Sequence, residues 1–109
     1  MPSNGLPPLR KEEGTLHLTV ELTGLGRSIA GERATELTLP LGTDFHGVIR
    51  CLAGLYPGLV GVVIAPGGEE LLNANIISRN GEDLIMPDRL DGCPQDGDRL
   101  TLISIIVGG

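Results

Sequence analysis

The residues best suited to chemistry in this sequence of 109 residues are its last two, Gly108 and Gly109. They follow directly on an apolar, strand-like run at residues 100–107. Neither glycine has a Cβ atom, so the final peptides can pass through a slot that is too narrow for any side chain. The carboxylate of Gly109 can therefore be presented to another protein as a reactive group. This pattern predicts a chain that is acted on at its end, without a catalytic centre of its own.

The other reactive side chains form no catalytic or metal-binding pattern. Cys51 and Cys93 are not part of a CxxC pair, and no second pair of cysteines could complete a zinc site. Ordinary thiols, a disulfide and a reactive thiol all stay open for them. His17 and His46 are expected on the surface, because nothing pairs either with a nucleophile in a triad. The Asp96-Gly97-Asp98 segment is expected to be a turn, since no third metal ligand accompanies it.

Composition and charge narrow the class of partner. The formal net charge is −6, and the chain has one Phe, one Tyr and no Trp, so neither phosphate-backbone binding nor base stacking is expected. A partner surface is expected to be basic, because opposite charge would steer the encounter. No apolar run approaches the roughly 18 residues of a membrane span, and no signal-peptide pattern is seen. The sequence therefore predicts a cytoplasmic protein that binds neither nucleic acid nor membrane and is monomeric on its own.

The elements that would position the diglycine form one domain. Residues 1–14 are rich in Pro, Gly and charge and are expected to be a flexible arm. Residues 15–23 and 35–41 alternate apolar and polar side chains, which predicts two strands of an antiparallel hairpin joined by a loop. Residues 44–56 carry an apolar stripe at helical spacing after a capping Thr43 or Asp44.

The second half of the chain adds the remaining strands. Residues 71–79 are expected to be a strand that reverses at Asn80-Gly81, a strong hairpin signal, with a short return arm at residues 82–86. Residues 100–107 form the last strand. A single helix would cover one face of this mixed α+β sheet and leave the other face to solvent or a partner. The expected core consists of Leu16, Leu18, Val20, Leu37, Leu39, Phe45, Val48, Ile49, Leu52, Leu55, Leu100 and Leu102.

The last strand also predicts a contact surface. If Leu100 and Leu102 face the helix, then Ile103 and Ile105 face outward, and exposed apolar residues on an uncovered sheet are typical of an interface. The competing interpretation is that Ile103 packs at a sheet edge or in a homodimer.

Four short motifs, in this order, resemble those of the ubiquitin-like sulfur carrier family, of the molybdopterin-synthase small-subunit and thiamine sulfur-carrier type. They are Tyr56-Pro57-Gly58-Leu59, Asn80-Gly81-Glu82-Asp83, Asp96-Gly97-Asp98 and the terminal Gly108-Gly109. The resemblance covers roughly residues 15–109. It implies a β-grasp domain at residues 15–107 with a diglycine tail at 108–109, and a last strand at the centre of the sheet. The sequence departs from the family in the polar Ser78-Arg79 before the hairpin turn.

The resemblance also implies a function and its residues. An activating enzyme would use ATP to adenylate the carboxylate of Gly109, with Gly108 beside it, and a sulfur donor would convert it to a thiocarboxylate. The sulfur would pass to a synthase in molybdopterin, thiamine or cysteine biosynthesis. The chain itself would bind no cofactor and would not be an enzyme. Its partner-binding residues would be Ile103, Ile105, Ile106 and Val107.

Two alternatives share these features. In the first, Gly109 is joined by an isopeptide bond to lysines of other proteins, which makes the chain a ubiquitin-like modifier. In the second, the domain is a plain β-grasp binding module and the diglycine is incidental. The chemistry up to the adenylate is the same for carrier and modifier.

Overall fold

A computed structural model of the protein describes residues 14–72 and 74–104. The strands and helices follow one another as β1 (Thr15–Leu22), α1 (Gly24–Ala30), β2 (Ala34–Pro40), α2 (Phe45–Leu55), β3 (Asn75–Arg79), β4 (Asp83–Ile85) and β5 (Arg99–Ser104). Short 3₁₀ turns lie at Pro57–Leu59 and Pro87–Arg89. In these ranges no helix combines the length and the apolar character needed to cross a bilayer. The expected N-terminal arm, except for its last residue Gly14, lies outside the described residues.

The five strands form one mixed sheet in the order β2-β1-β5-β3-β4. Strand β5 lies at the centre, parallel to β1 and antiparallel to β3. The hairpin of β1 and β2 and the hairpin of β3 and β4 flank it. This is the β-grasp arrangement, and the predicted central position of the last strand is confirmed.

The core lies between α2 and one face of the sheet. Alternate residues of β1 and β5 are buried, including Leu18, Leu100 and Leu102. They meet the apolar stripe of α2, whose Phe45, Val48, Ile49 and Leu52 are at most 2% exposed. Helix α2 begins at the predicted cap, because the Asp44 carboxylate accepts a hydrogen bond from the Gly47 amide at 2.9 Å. Burial of this face follows from the period of two in the strands and of 3.6 in the helix.

Two predicted core residues are not buried. Leu55 is the last residue of α2 and is 51% exposed. Leu39 is only half-buried and packs at the margin of the core. The apolar segment after α2 completes the core with Leu59, Val63 and Ile64.

The predicted main helix across one face is confirmed as α2, but residues 24–30 form a second, short helix, α1, where a loop was expected. Seven residues with two glycines are too short for a clear helical stripe. The helix ends at Gly31, whose φ of 76° is left-handed and whose amide donates to the Arg27 carbonyl. Gly26 of α1 is buried, and a Cβ atom added to it would lie 3.7 Å from the Leu102 side chain. Tertiary packing against β5 therefore stabilises a helix that its sequence does not indicate.

Candidate functional site

The site predicted from the sequence begins where β5 ends. Ser104 is the last described residue of that strand. Five of the six predicted site residues follow it and lie outside the described residues: Ile105, Ile106, Val107, Gly108 and Gly109. Their predicted roles stay predictions, and the described structure gives the surface from which they depart.

Helix α1 flanks one side of the end of β5. The carbonyl of Leu102 accepts two hydrogen bonds from Thr23, from its amide at 3.2 Å and its hydroxyl at 2.9 Å. The next residue, Gly24, has a left-handed φ of 53°, and a Cβ placed there would lie 3.3 Å from Cβ of Ser104. Glycine therefore allows both the conformation and the close approach. The start of α1 is thus fixed against the last residues of the strand.

Strand β3 flanks the other side. The Ser104 hydroxyl donates a hydrogen bond to the side-chain oxygen of Asn75 at 2.8 Å, and the two residues are direct partners in the ladder. Asn75 in turn donates its side-chain amide to the Leu72 carbonyl at 3.0 Å. The last described residues of β5 are therefore held by both neighbouring elements.

An apolar patch lies beside this point on the uncovered face of the sheet. Leu100 and Leu102 face α2, as predicted, so Ile103 faces the other way. Its direct partner in β3 is Ile76, and both side chains are half-buried. Leu84 of β4 lies on the same face, and its side chain is 58% exposed. We call Ile76, Leu84 and Ile103 the open-face patch. Of these three, only Ile103 was predicted, although adjacent apolar residues such as Ile76 and Ile77 in one strand point to opposite faces and so indicate a second member.

The part of the open face formed by β1 and the first half of β5 is polar. Glu21 accepts a hydrogen bond from Arg99 at 2.6 Å and one from the Thr101 hydroxyl at 3.3 Å. All three side chains are at least partly exposed. The open face therefore combines an apolar half near β3 with a charged half near β1, a pattern typical of protein interfaces.

The turn that precedes β5, at the opposite end of the strand from Ser104, is held by hydrogen bonds between polar groups. Asp98 is 8% exposed, and its carboxylate accepts hydrogen bonds from the Asn80 side chain at 3.0 Å and the Gln95 amide at 2.8 Å. The side-chain oxygen of Asn80 accepts the amide of Arg99 at 2.8 Å. Asn80 and Gly81 both have positive φ, as a tight hairpin turn requires. The Asp96-Gly97-Asp98 turn is thus structural, as expected. Across the described ranges no three His, Cys, Asp or Glu side chains are grouped to hold a metal ion.

Neither histidine contacts a nucleophile. His17 is exposed and lies 3.0 Å from the Asp96 carboxylate through Nδ1. The His17 amide and ring together hold the pKa of Asp96 below its ordinary value. His46 Nδ1 donates to the Glu69 carbonyl at 2.7 Å and ties a loop to α2.

The two cysteines are free thiols, and they differ in exposure. Cys51 is half-buried beside the core, and burial raises the pKa of its thiol, which disfavours the reactive thiolate. Cys93 is exposed, and its sulfur lies 3.5 Å from the Gly42 carbonyl. No disulfide joins them, so the disulfide alternative is not supported.

A small cleft of about 120 Å³ lies between β4 and the segment that precedes β3. Its lining is mostly apolar and contains the carboxylate of Glu70, without a histidine, cysteine or hydroxyl group that could act with it. The lining residues are Glu70, Leu71, Asn75, Ile85, Pro87 and Leu90. The cleft offers no catalytic arrangement.

The fold and the position of the last strand define a ubiquitin-like β-grasp protein. No model of a protein family matches the chain, and no curated protein matches it significantly. Solved structures do match. Their sequence identity to this chain is low, so the match shows a shared fold and no more. They include members of the ubiquitin-like sulfur carrier family, which the sequence motifs resemble.

Three of these structures are informative. The crystal structure of SAMP1 from Haloferax volcanii is 24% identical, with a TM-score of 0.73 over 85% of this chain and 99% of that one. Urm1 from Trypanosoma brucei is 24% identical, with a TM-score of 0.64 over 87% and 97% of the two chains. A putative molybdopterin converting factor subunit 1 from Pyrococcus furiosus is 18% identical, with a TM-score of 0.63 over 84% and 99%. The chain therefore spans nearly the whole length of each.

Proposed function

We propose that this protein is a sulfur carrier. A partner enzyme adenylates the carboxylate of Gly109 with ATP, a sulfur donor converts it to a thiocarboxylate, and the sulfur then passes to a synthase of cofactor or cysteine biosynthesis. The observation that carries the proposal is the end of β5. A central strand is held on both sides, by Thr23 and Asn75, up to Ser104, and in the sequence the diglycine follows after three further residues.

The chemistry assigns this chain the role of a substrate. A carboxylate is a poor electrophile until adenylation supplies a good leaving group, and the adenylating partner provides both ATP and the catalytic groups. The five residues after Ser104 span about 16 Å when they are extended, which is long enough to enter a deep active site. Neither Gly108 nor Gly109 has a side chain that would obstruct a narrow entry.

The open-face patch is the proposed contact surface for the activating partner. Ile76 and Ile103 lie beside the last described residue of β5, and Leu84, farther along the same face, is largely exposed. An extended tail can be held by main-chain hydrogen bonds while side chains beside it fill apolar pockets. Ile103 thereby anchors the domain, and Ile105, Ile106 and Val107 continue the contact along the tail.

The proposal is tested by ATP–pyrophosphate exchange with an adenylating enzyme of the same organism. Removal of Gly108 and Gly109 should abolish exchange, because the reacting carboxylate is then two residues short of the active site. The melting temperature should stay nearly unchanged, because no described core residue is touched. Gly109→Ala should also impair exchange through its added methyl group. Exchange at the wild-type rate by the truncated protein would exclude Gly109 as the reacting group.

Conjugation to other proteins is the second candidate. It is favoured by the match to SAMP1, which is itself described as a small archaeal modifier protein. In this reaction the adenylated Gly109 is transferred to a lysine amine of a target protein. Intact-mass analysis after incubation with the activating enzyme, ATP and a sulfur source separates the two. Exchange of one oxygen for sulfur indicates a carrier, and high-mass conjugates indicate a modifier.

A further inference from the structure

The positive charges of the folded domain are all guanidinium groups. The sequence contains eight Lys and Arg residues, and Lys11 is the one lysine among them. The described ranges contain six arginines and no lysine: Arg27, Arg33, Arg50, Arg79, Arg89 and Arg99. Arginine and lysine carry the same charge, but lysine can lose its proton and become a nucleophilic amine, whereas arginine does not.

This difference matters for a protein whose own carboxyl group becomes activated. An amine nitrogen that attacks the acyl carbon of the Gly109 adenylate forms an amide bond. The bond from that carbon to the phosphate oxygen breaks, AMP leaves with the electron pair, and the nitrogen releases a proton to water. A lysine of the domain within reach of the tail would thus close the chain on itself and consume the carboxyl group.

Several positions on the domain are within that reach. The guanidinium of Arg27 donates to the Leu22 carbonyl at 3.0 Å, and Leu22 is the ladder partner of Leu102. Arg27 therefore lies near the end of β5. Ala34 of β2 is level with Thr101 across β1 and lies about 14 Å from Ser104, from the strand rise and the strand spacing. The tail spans about 16 Å when extended.

The start of β1 is beyond that reach. Thr15, the first residue of β1, lies about 30 Å from Ser104 along the strand direction. Lys11 precedes Thr15 by four positions in the sequence and lies outside the described residues.

We propose that the exclusion of lysine from the folded domain, with arginine at its cationic positions, prevents capture of the activated Gly109 by the protein's own surface. The acyl group is thereby directed to acceptors on other molecules. This inference rests on the proposed function. It names Arg27 as the cationic position beside the tail at which an amine would be most damaging.

The test introduces amines at matched positions. Ala34 and Thr38 are both exposed on β2 and face the same side of the sheet. Thr38 lies about 25 Å from Ser104, which exceeds the reach of the tail by more than a lysine side chain adds. Ala34→Lys therefore adds an amine within reach of the tail, and Thr38→Lys adds the same amine beyond it. Arg27→Lys places an amine at an existing cationic position and keeps its charge.

Each variant is incubated with the activating enzyme and ATP, without a sulfur donor, and its intact mass is measured. Loss of one water marks an internal amide, and peptide mapping locates it. A34K and R27K should form this product, with A34K exceeding T38K by more than about tenfold because the effective concentration of the amine is higher. Wild type should form far less of it than A34K, because its amines, at Lys11 and the Met1 N-terminus, precede β1 in the sequence, and peptide mapping distinguishes their products. Pyrophosphate exchange and a thermal melt confirm that each variant is activated and folded.

A second arm removes the dependence on the activating partner. The same variants are prepared with a Gly109 thioester by intein cleavage, and internal amide formation is followed at mildly alkaline pH. Cyclisation of A34K but not of T38K in this second experiment supports the inference. Failure of wild type in the exchange assay would count against the proposed function alone and would leave this result intact. Activated A34K and R27K that stay linear in both arms, or equal cyclisation of T38K, would overturn the inference.

Discussion

The two faces of the sheet use apolar residues for different purposes. On the face that α2 covers, Leu100 and Leu102 are 1% exposed and contact the helix stripe. On the open face, their neighbour Ile103 is half-buried opposite Ile76, and exposed Leu84 lies farther along the same face. Residues 102 and 103 are adjacent in sequence and similar in hydrophobicity. Position relative to the helix alone decides whether such a side chain stabilises the fold or is available to a partner.

The comparison extends to the polar residues. Asp98, just before β5, is buried, and each of its carboxylate oxygens accepts a hydrogen bond. Glu21 and Arg99, in contrast, form an ion pair on the open face, where both side chains are exposed to water. A buried acceptor that loses its partners costs far more than an exposed ion pair contributes. The covered face and the Asp98 turn should therefore determine stability, and the open face should determine recognition.

The largest expected effect on stability is from Leu102→Ala. Its side chain is almost fully buried between α2 and α1, so truncation removes burial and leaves a cavity. The free energy of unfolding should fall by about 2–5 kcal/mol, measured by urea denaturation. Ile103→Ala is the matched control and should cost clearly less. Equal losses for the two variants would contradict the assignment of faces.

Asp98→Ala should have the next largest effect. It leaves the Asn80 side-chain amide and the Gln95 backbone amide without their acceptor. A loss of about 1–3 kcal/mol in the free energy of unfolding is expected. Glu36→Ala, on exposed β2, serves as the control for removal of a carboxylate. A melt of D98A that matches wild type would show that the turn is held by other contacts.

Ile103→Ser should separate recognition from stability. Because Ile103 lies on the open face, the free energy of unfolding should change by less than about 1 kcal/mol. The KM for this protein in pyrophosphate exchange should rise about tenfold while kcat changes little, as expected for loss of an anchor residue. Leu84→Ser should shift KM in the same direction, and Thr38→Ser at the far end of the face should not. An unchanged KM for both patch variants would exclude the patch as the contact.

The smallest expected effect concerns pH. In the folded protein the His17 amide and ring lower the pKa of Asp96, so its ionised form is favoured by folding. This contribution is present above the ordinary carboxyl pKa of about 4 and is lost as the pH falls through the lower folded value. Wild type should therefore be slightly more stable than Asp96→Asn at pH 7. The difference between their urea midpoints should shrink below about pH 4, and a difference that grows on acidification would contradict the assignment.

Residues whose pattern was local were predicted well. Alternation located β1, β2 and the start of β5, and the stripe from Phe45 to Leu52 located α2 to within a residue or two of its ends. The Asn80-Gly81 turn was confirmed because both residues tolerate positive φ. Each of these patterns depends on a few residues that are close in sequence, so it can be recognised without knowledge of the tertiary structure.

Features that depend on distant contacts were missed. Helix α1 was expected to be a loop, because its stability comes from Gly26 against Leu102 and from the bonds of Thr23 to the Leu102 carbonyl. Leu55 was expected in the core, because the helical period does not reveal where the sheet beneath the helix ends. The pairing of Ile76 with Ile103 depends on strand order, which no local pattern contains.

The sequence by itself determined the covered face, the hairpin turns, the diglycine and the absence of lysine from residues 14–109. All of these are properties of residue type and near spacing. Only the tertiary structure decided that β5 lies between β1 and β3, that Thr23 and Asn75 hold its end, and that Ile76, Leu84 and Ile103 meet on one surface. The physical reason is that these contacts join residues about 30 to 80 positions apart, and their register is set by the closing of the whole sheet around α2.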